Sequence, residues 1–278
     1  MNVLHTTLQN ALEQIQGVHP LLHCISNIVT ANDCANLALA IGASPIMAQE
    51  PQEMPQIATL AKAVILNTGT PDEAKFQAAA IAGKTANRLH IPVILDPVGI
   101  GASTWRLNHI HDLLSQVHPD ILRVNLGEAR ALLGQTGTEH GVDSLESFRR
   151  TETDFCAKEL ANALHTVVLL SGEEDLVTDG IRLKRISGGS PLTRSVTGAG
   201  CMLSVLCGAF ASIETTFLEA TPESATSQPD YYSSACLAAH FWKLCAESAA
   251  QTSSTPGSFR VGLFDAAYKL STFNEKGL

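Results

Sequence analysis

The stretch Ala63-Val-Ile-Leu-Asn-Thr-Gly-Thr70 has the pattern that decides the fold. A short β-rich run ends in polar and glycine residues, and a helical pattern over Asp72–His90 follows it. The same order recurs along the chain: Leu21–Ile25 before Asn32–Ile41, Pro92–Leu95 before Trp105–Leu114, Ile121–Val124 before Leu126–Leu133, and Val167–Leu170 before a turn at Gly172. This alternation predicts an α/β fold, with a mainly parallel central sheet and helices on both of its faces.

Polar residues follow the predicted strands: Asn27, Asn67 to Thr70, Asp96 to Gly99, Asn125, and Ser171-Gly172. Since ligands of such sheets bind beyond the carboxyl ends of the strands, these positions are candidates for a site.

Two further runs, Leu176–Thr178 and Ile181–Ile186, are separated by Asp179-Gly180, a dipeptide typical of hairpins. They predict an antiparallel edge. Gly134–Ser147 and Thr215–Asp230 are predicted to be loops or irregular additions.

Composition limits the classes of function. The 278 residues carry a formal charge of −9 with only 18 lysines and arginines, which argues against a nucleic-acid surface and favours a small-molecule partner. We expect a single domain over residues 1–278.

Seven cysteines without a Cys-x-x-Cys pair predict reduced thiols and a cytoplasmic protein. Met1–Gln16 is predicted to be an amphipathic helix, and Gly198–Ile213 is too short and too interrupted for a membrane span.

The segment Val196–Phe210 places a glycine-rich turn directly before an apolar stretch of helical length. Gly198 and Gly200 allow successive N–H groups to converge on an anion, and the helix dipole adds to that field. Cys201 stands at the helix entrance. Two structural interpretations stay open. The glycines can form only a tight connection between strand and helix, and Cys201 can be only a small buried thiol. A dinucleotide fingerprint is excluded because Leu203 replaces its third glycine, and Gly83-Lys84-Thr85 is rejected as a phosphate loop because Ala78 replaces the first glycine of that motif.

Several segments together resemble the hydroxyethylthiazole kinases, a thiamine-salvage group of the ribokinase-like family. The resemblance covers most of the chain and rests on His23 to Asn27, Ala40 to Ala48, Asn67 to Thr70, Leu95 to Ala102, Arg123 to Glu128, Val196 to Cys201, and Pro256 to Arg260. It implies a ribokinase-like fold. It also implies transfer of the γ-phosphoryl group of ATP to the primary hydroxyl of 4-methyl-5-(2-hydroxyethyl)thiazole with Mg²⁺, by a homotrimer with sites at subunit boundaries, without nucleic-acid or membrane partners.

The resemblance also implies roles for individual residues. The residues expected to contact the γ-phosphoryl group during transfer are Gly198, Ala199, Gly200 and Cys201. Those for ATP are Arg123, Ser171 and Asn125. Those for the alcohol substrate are Met47, Asn27, Val29, Asn67, Gly69 and again Gly198. Asp96 and Glu128 would organise Mg²⁺, an ion that often takes only one or two carboxylates.

Other interpretations of these residues remain. Asn125 and Glu128 are spaced like a helix N-cap and its capping-box glutamate, Asp96 before Pro97 is also typical of a strand ending in a turn, and Met47 is also typical of a core residue. The wider superfamily has aspartate at the position of Cys201. We expect a lowered pKa for this thiol at a helix N-terminus.

Three alternative functions remain. They are another ribokinase-fold kinase for a pyrimidine or pyridoxine, a repair hydro-lyase for hydrated nicotinamide cofactor, and a non-catalytic nucleotide- or thiazole-binding protein.

Overall fold

An eight-stranded sheet forms the centre of the computed structural model, which describes residues 3–135, 145–213 and 229–272. The strands are β1 (Leu21–Ile25), β2 (Ser44–Ile46), β3 (Ala63–Asn67), β4 (Val93–Asp96), β5 (Ile121–Asn125), β6 (Val167–Ser171), β7 (Asp175–Thr178) and β8 (Leu183–Ile186). Their order is β2-β1-β3-β4-β5-β6-β7-β8. The first six strands of that order pair in parallel, and β7 and β8 add an antiparallel edge. The predicted fold class is confirmed.

Helices cover both faces of this sheet. They are α1 (Val3–Val18), α2 (Ala31–Ala40), α3 (Met54–Leu60), α4 (Glu73–Leu89), α5 (Thr104–Leu114), α6 (Leu126–Leu132), α7 (Leu145–Leu164), α8 (Ala199–Ala211), α9 (Tyr231–Thr252) and α10 (Pro256–Thr272). One core cluster contains residues of α1, α2, α8, α9 and α10, and the other contains residues of α3 to α7. Among the described helices, none has the length and apolarity needed to cross a membrane.

The strand ends meet as the sequence predicts. Asn67 pairs in register with Asp96, and Asn125 pairs with Ser171, so the last residues of β3 to β6 line one edge. Residues at this edge come from four different strands. A site built there therefore depends on the register of the whole parallel sheet.

Some boundaries differ from the sequence predictions. β2 was not predicted, because a three-residue run with a central proline, Pro45, resembles a loop and is tolerated only at a sheet edge. Ile181 belongs to the hairpin turn, and β8 begins at Leu183. The predicted loop over Gly134–Ser147 is wrong at its end, since α7 begins at Leu145; residues 136–144 lie outside the described part. Of the second loop, residues 215–228 lie outside it too.

The segment Pro256 to Arg260 forms the first turn of α10 and connects this helix to α2. Arg260 donates from Nε to Asp33 Oδ2 at 2.8 Å, and its Nη2 donates to Asp33 Oδ1. Phe259 beside it is fully buried. Since α2 begins next to Thr30, a neighbour of the glycine turn, this ion pair connects the last described helix to the edge where the site lies.

Candidate active site

Asp96 at the end of β4 is the centre of a buried polar network. Its side chain has no exposed surface. Asn67 Nδ2 and Ser204 Oγ donate to Oδ2 at 2.7 and 2.9 Å, and Arg123 Nη1 donates to Oδ1 at 3.3 Å. A buried carboxylate is tolerable only with such partners. Asp96 is therefore fixed in orientation by three different elements, β3, β5 and α8.

Arg123 on β5 links this carboxylate to the nucleotide-facing residues expected from the sequence. Its Nη2 donates to Ser171 Oγ at 2.7 Å, and its buried Nε has no hydrogen-bond partner among the described residues. Burial lowers the pKa of Arg123, but the negative charges of Asp96 and Glu128 outweigh it and raise the pKa overall. A permanent cation with an unused donor suits an anionic ligand.

A cavity of 440 Å³ lies beside Arg123 and Ser171. Its wall is continued by Gly200 and Leu203 of α8, by Trp242 and Lys243 of α9, and by the glycine pair Gly188-Gly189. This volume lies within the range of small-molecule sites. The glycine turn, the arginine and the cavity are thus contiguous.

The glycine turn has the backbone that the sequence predicts. Gly198 has φ of +79°, and a Cβ there would overlap the side chain of Thr30. A Cβ on Gly200 would overlap the guanidinium of Arg123. The first helical hydrogen bond in α8 runs from Met202 N to Gly198 O at 2.9 Å, so the N–H groups of residues 199 to 201 precede it. Ala199 and Gly200 therefore present N–H groups beside Arg123.

Cys201 is buried at the start of α8, and its thiol accepts a hydrogen bond from Asn27 Nδ2 at 3.4 Å. Burial raises its pKa, the charge of Asp96 adds to this, and the smaller opposing effects of hydrogen bonds and Arg123 do not cancel the rise. The expectation of a lowered pKa is therefore wrong, because desolvation outweighs the helix N-terminus. The thiol is protonated at neutral pH.

The amides of Asn27 and Asn67 bind one another, and the backbone fixes which way they face. Asn27 Oδ1 accepts from the N–H groups of Val29 and Thr30, both at 3.1 Å, so its Nδ2 is the atom that donates to Asn67 Oδ1 at 3.0 Å and to Cys201. Asn67 Oδ1 also accepts from Gly69 N at 3.0 Å, which leaves Asn67 Nδ2 to donate to Asp96. One hydrogen-bonded chain therefore runs from Asn27 to Asp96.

Glu128 and Asn125 form the capping box that their spacing predicts. Asn125 Oδ1 accepts from Glu128 N, and Glu128 Oε2 accepts from Asn125 N, both at 2.9 Å. Glu128 Oε1 accepts from Gly99 N at 2.9 Å. Burial raises the pKa of Glu128, and Asp96 raises it as well, whereas Arg123 lowers it. Glu128 therefore caps α6 and also lies in the electrostatic field of the Asp96 and Arg123 pair.

Among the described residues, two expected substrate residues have side chains outside this hydrogen-bonded network, although the N–H group of Val29 donates to Asn27 Oδ1. Met47 follows β2, is partly buried and packs against the core of α1, α2 and α8. The next residue, Ala48, accepts at its carbonyl from His23 Nε2 at 3.0 Å. Val29 is 59% exposed in the turn before α2. Their side chains are not joined to Asp96 or Cys201 by any hydrogen bond.

Sequence reasoning missed three buried groups of this region. Ser204 stands three residues after Cys201 and so shares its face of α8, a spacing that could have found it. Lys75 binds the carbonyls of Gly69, six residues before it, and of Ser26, 49 residues before it, and Lys243 binds the carbonyl of Gly172, 71 residues before it. No local pattern reports such contacts.

A mainly parallel sheet with an antiparallel edge and helices on both faces defines a ribokinase-like fold. A ribokinase-like superfamily protein from Enterococcus faecalis V583 has this fold, with a TM-score of 0.62 at 11% identity over 94% of each chain.

The model of the hydroxyethylthiazole kinase family matches residues 12–273. A hydroxyethylthiazole kinase of Thermoanaerobacter pseudethanolicus is 39% identical over 262 residues, which are 94% of this chain and 93% of that protein. A hydroxyethylthiazole kinase structure from Pyrococcus horikoshii OT3 aligns with a TM-score of 0.82 at 32% identity, over 95% of this chain and 93% of that one. The chain belongs to the hydroxyethylthiazole kinase family.

Proposed function

We propose that the protein transfers the γ-phosphoryl group of ATP to the primary hydroxyl of 4-methyl-5-(2-hydroxyethyl)thiazole, a step of thiamine salvage. Family membership supports the reaction. The observation in this chain that carries it is the guanidinium of Arg123, which lies against Gly200 of the glycine turn at the wall of the cavity. A cation and a row of N–H groups meeting at one point suit the charge of a phosphoryl group in transfer.

ATP would occupy the 440 Å³ cavity with its phosphates towards Arg123 and Ser171. Asn125 is exposed at the end of β5 and pairs in register with Ser171, which lines the cavity. The side chain of Asn125 caps α6, which leaves its Nδ2 as the group for a ligand. Phosphates at this position would meet the positive end of α8 as well.

Asp96 and Glu128 fit a role in holding Mg²⁺. Within the described ranges, no three side chains of His, Cys, Asp or Glu gather as a metal cage. Mg²⁺ does not require one, because it keeps several waters and takes further ligands from substrate phosphates. When bound, the ion would neutralise charge on the phosphates. The buried carboxylates, one paired with Arg123 and one held by two N–H groups, would orient its waters.

The residues support direct transfer to the alcohol. N–H groups of the turn at Gly198 to Cys201 would stabilise the equatorial oxygens, and Arg123 would bridge the phosphates to Asp96. The protonated Cys201 thiol, held by Asn27, would hydrogen-bond the alcohol oxygen. In a loose transition state the alcohol keeps its proton until late, so a strong base at position 201 is not required. Met47, Val29 and Gly69 would surround the thiazole.

The same proposal includes a homotrimer with sites at subunit boundaries and a cytoplasmic location. The homotrimer follows from the family resemblance. The location follows from the seven cysteines, all of which are unpaired and buried. Ile28 and Val29, exposed beside Asn27, support a boundary near the site.

The test is an assay of ADP release coupled to product identification. Purified protein with ATP and Mg²⁺ would be offered hydroxyethylthiazole, hydroxymethylpyrimidine and pyridoxine, and the product would be identified as a phosphate monoester by phosphorus NMR. We expect the highest kcat/KM with the thiazole alcohol and no turnover after chelation of Mg²⁺. Preference for pyridoxine or the pyrimidine would overturn the proposal, and binding without turnover of any alcohol would favour a non-catalytic protein.

A further inference from the structure

Lys75 in the first turn of α4 is a buried lysine whose ammonium lies among backbone carbonyls. It is 5% exposed. Its Nζ donates to Gly69 O at 2.8 Å, to Ser26 O at 3.0 Å, to Thr70 O at 3.2 Å and to Thr70 Oγ1 at 3.3 Å. Three protons thus serve four oxygen atoms. The arrangement is a cation in a cage of oxygens, with the cation tethered to a helix.

The four oxygens belong to the two loops that follow the neighbouring parallel strands β1 and β3. Ser26 follows β1 and precedes Asn27, whereas Gly69 and Thr70 follow β3 and Asn67. Thr70 Oγ1 also accepts from Ile28 N at 3.3 Å, so the two loops share this hydroxyl. Lys75 therefore ties together the loops that carry Asn27 and Asn67, the two amides that reach Cys201 and Asp96.

The tie also holds a strained residue. Thr70 has φ of +45°, in the left-handed region that a β-branched side chain rarely adopts. Such a conformation persists only where the surroundings over-determine it. Both the carbonyl and the hydroxyl of Thr70 bind Lys75, so the lysine supplies much of that constraint.

This placement of a lysine is costly. Burial lowers its pKa, with Asp72 opposing the shift, and no carboxylate lies within ion-pair distance of it in the described ranges. The first turn of a helix is also the end at which the dipole disfavours a cation. The partners of this ammonium belong to the two loops and not to α4, so the charge serves contacts outside its own helix.

We propose that Lys75 is a positioning residue for the phosphoryl acceptor, a tethered cation that fixes the loop after β1 against the loop after β3. This rests on the proposed function, because the two loops are those assigned there to the alcohol. Asn27 and Gly69 then hold one geometry relative to Cys201, and the alcohol binds a preformed site. Lys75 is not among the residues that line the cavity beside Arg123, where we place the nucleotide.

The first test is steady-state kinetics of Lys75→Met, which keeps most of the length of the side chain and removes its donors. Lys84→Met is the matched control: Lys84 lies on the same helix and donates to Oε1 of the exposed Gln116 at 2.6 Å. For Lys75→Met we expect the KM for the alcohol to rise about 10- to 100-fold, with the KM for ATP within about twofold of wild type. The control should match wild type in both.

The second test does not require turnover. Hydrogen exchange, read over peptides that contain residues 26–30 and 67–72, should accelerate in Lys75→Met and stay unchanged in Lys84→Met. Lys75→Gln, a smaller perturbation, should move both readouts in the same direction. If the wild-type protein does not phosphorylate the thiazole alcohol but exchange changes as expected, the proposed function fails and the loop tie stands.

Two results would overturn the inference. One is a wild-type alcohol KM and wild-type exchange in both Lys75 variants. The other is failure of both variants to fold while Lys84→Met folds, which would make Lys75 a purely structural residue.

Discussion

At the scale of single residues, the site depends on how each side chain is oriented by its neighbours. Cys201 accepts from an amide whose direction is set by the N–H groups of Val29 and Thr30. Asp96 takes donors from Asn67, Ser204 and Arg123. A substitution of Cys201 or Asp96 therefore also removes a hydrogen-bond acceptor from the side chains that donate to it.

Cys201 gives the first prediction. Cys201→Ala should retain turnover about 10- to 1,000-fold below wild type, because the turn N–H groups and Arg123 remain. Cys201→Asp should retain more than Cys201→Ala, since a carboxyl of similar reach also hydrogen-bonds the alcohol. Rates of the two variants would be measured with intact-mass spectrometry of the wild-type protein after a short ATP pulse. A competent phosphocysteine would contradict direct transfer.

Glu128 gives the second prediction and separates its two roles. Glu128→Gln keeps a capping-box side chain at the third position of α6, so the melting temperature should change little. Loss of the negative charge should raise the Mg²⁺ concentration for half-maximal turnover about 10- to 100-fold. Thermal melts and Mg²⁺ titrations would be run together. An unchanged Mg²⁺ requirement with a lowered melting temperature would leave Glu128 a cap only.

The residue chemistry was only partly predictable from sequence. The capping box of Asn125 and Glu128 was readable because both partners are three residues apart. The direction of the Cys201 pKa shift could not be predicted from sequence. It depends on burial and on the charge of Asp96, which is 105 positions away along the chain. Roles assigned to Met47, Val29 and the other ligand-facing residues stay predictions.

At the scale of elements, α8 joins the site to the core. Its N-terminal turn faces Arg123, and from Cys201 to Ala211 every residue is buried. The spacing of Gly198, Gly200 and Cys201 before an apolar run predicted this helix well. The edge strand β2 escaped prediction, because pairing with β1 stabilises a run that has no strand pattern of its own.

Two glycines of α8 give the third prediction. Gly200→Ala places a methyl group against the guanidinium of Arg123, so turnover should fall at least about tenfold and the KM for ATP should rise. Gly208→Ala is the matched control, since its methyl group would overlap the side chain of Ile65 in the core and would not meet Arg123. It should lower stability by about 1–3 kcal/mol through overpacking and leave the KM for ATP unchanged. Equal kinetic effects in both variants would contradict a role for the turn.

At the scale of the whole molecule, the strand order of the sheet determines where the candidate site residues come together. β3, β4, β5 and β6 are adjacent, so Asn67, Asp96, Asn125 and Ser171 end at one edge although the chain separates them by up to 104 positions. The alternation of strands and helices predicted this edge. It did not predict the ties between loops, such as Lys75, because they involve backbone atoms that any residue possesses.

The exposed side chains around that edge give the last prediction, which concerns assembly. Ile28 is 78% exposed and Val29 is 59% exposed, directly after Asn27, whereas Ile181 is 90% exposed on the hairpin of β7 and β8. If the site lies at a subunit boundary, Ile28→Asp and Val29→Asp should shift the trimer towards monomers in sedimentation velocity, because burying a charge in an apolar interface is unfavourable. Ile181→Asp, far from the site along the sheet, should leave both mass and turnover unchanged.

Turnover should follow assembly in these variants. Monomers produced by Ile28→Asp should show a higher KM for the alcohol, since the neighbouring subunit no longer covers the loop after β1, and raising the protein concentration should restore part of the activity by mass action. Activity would be measured across a range of protein concentrations beside the sedimentation profiles. A wild-type protein that sediments as a fully active monomer would contradict the boundary site, and so would an Ile28→Asp variant that remains trimeric with an unchanged KM.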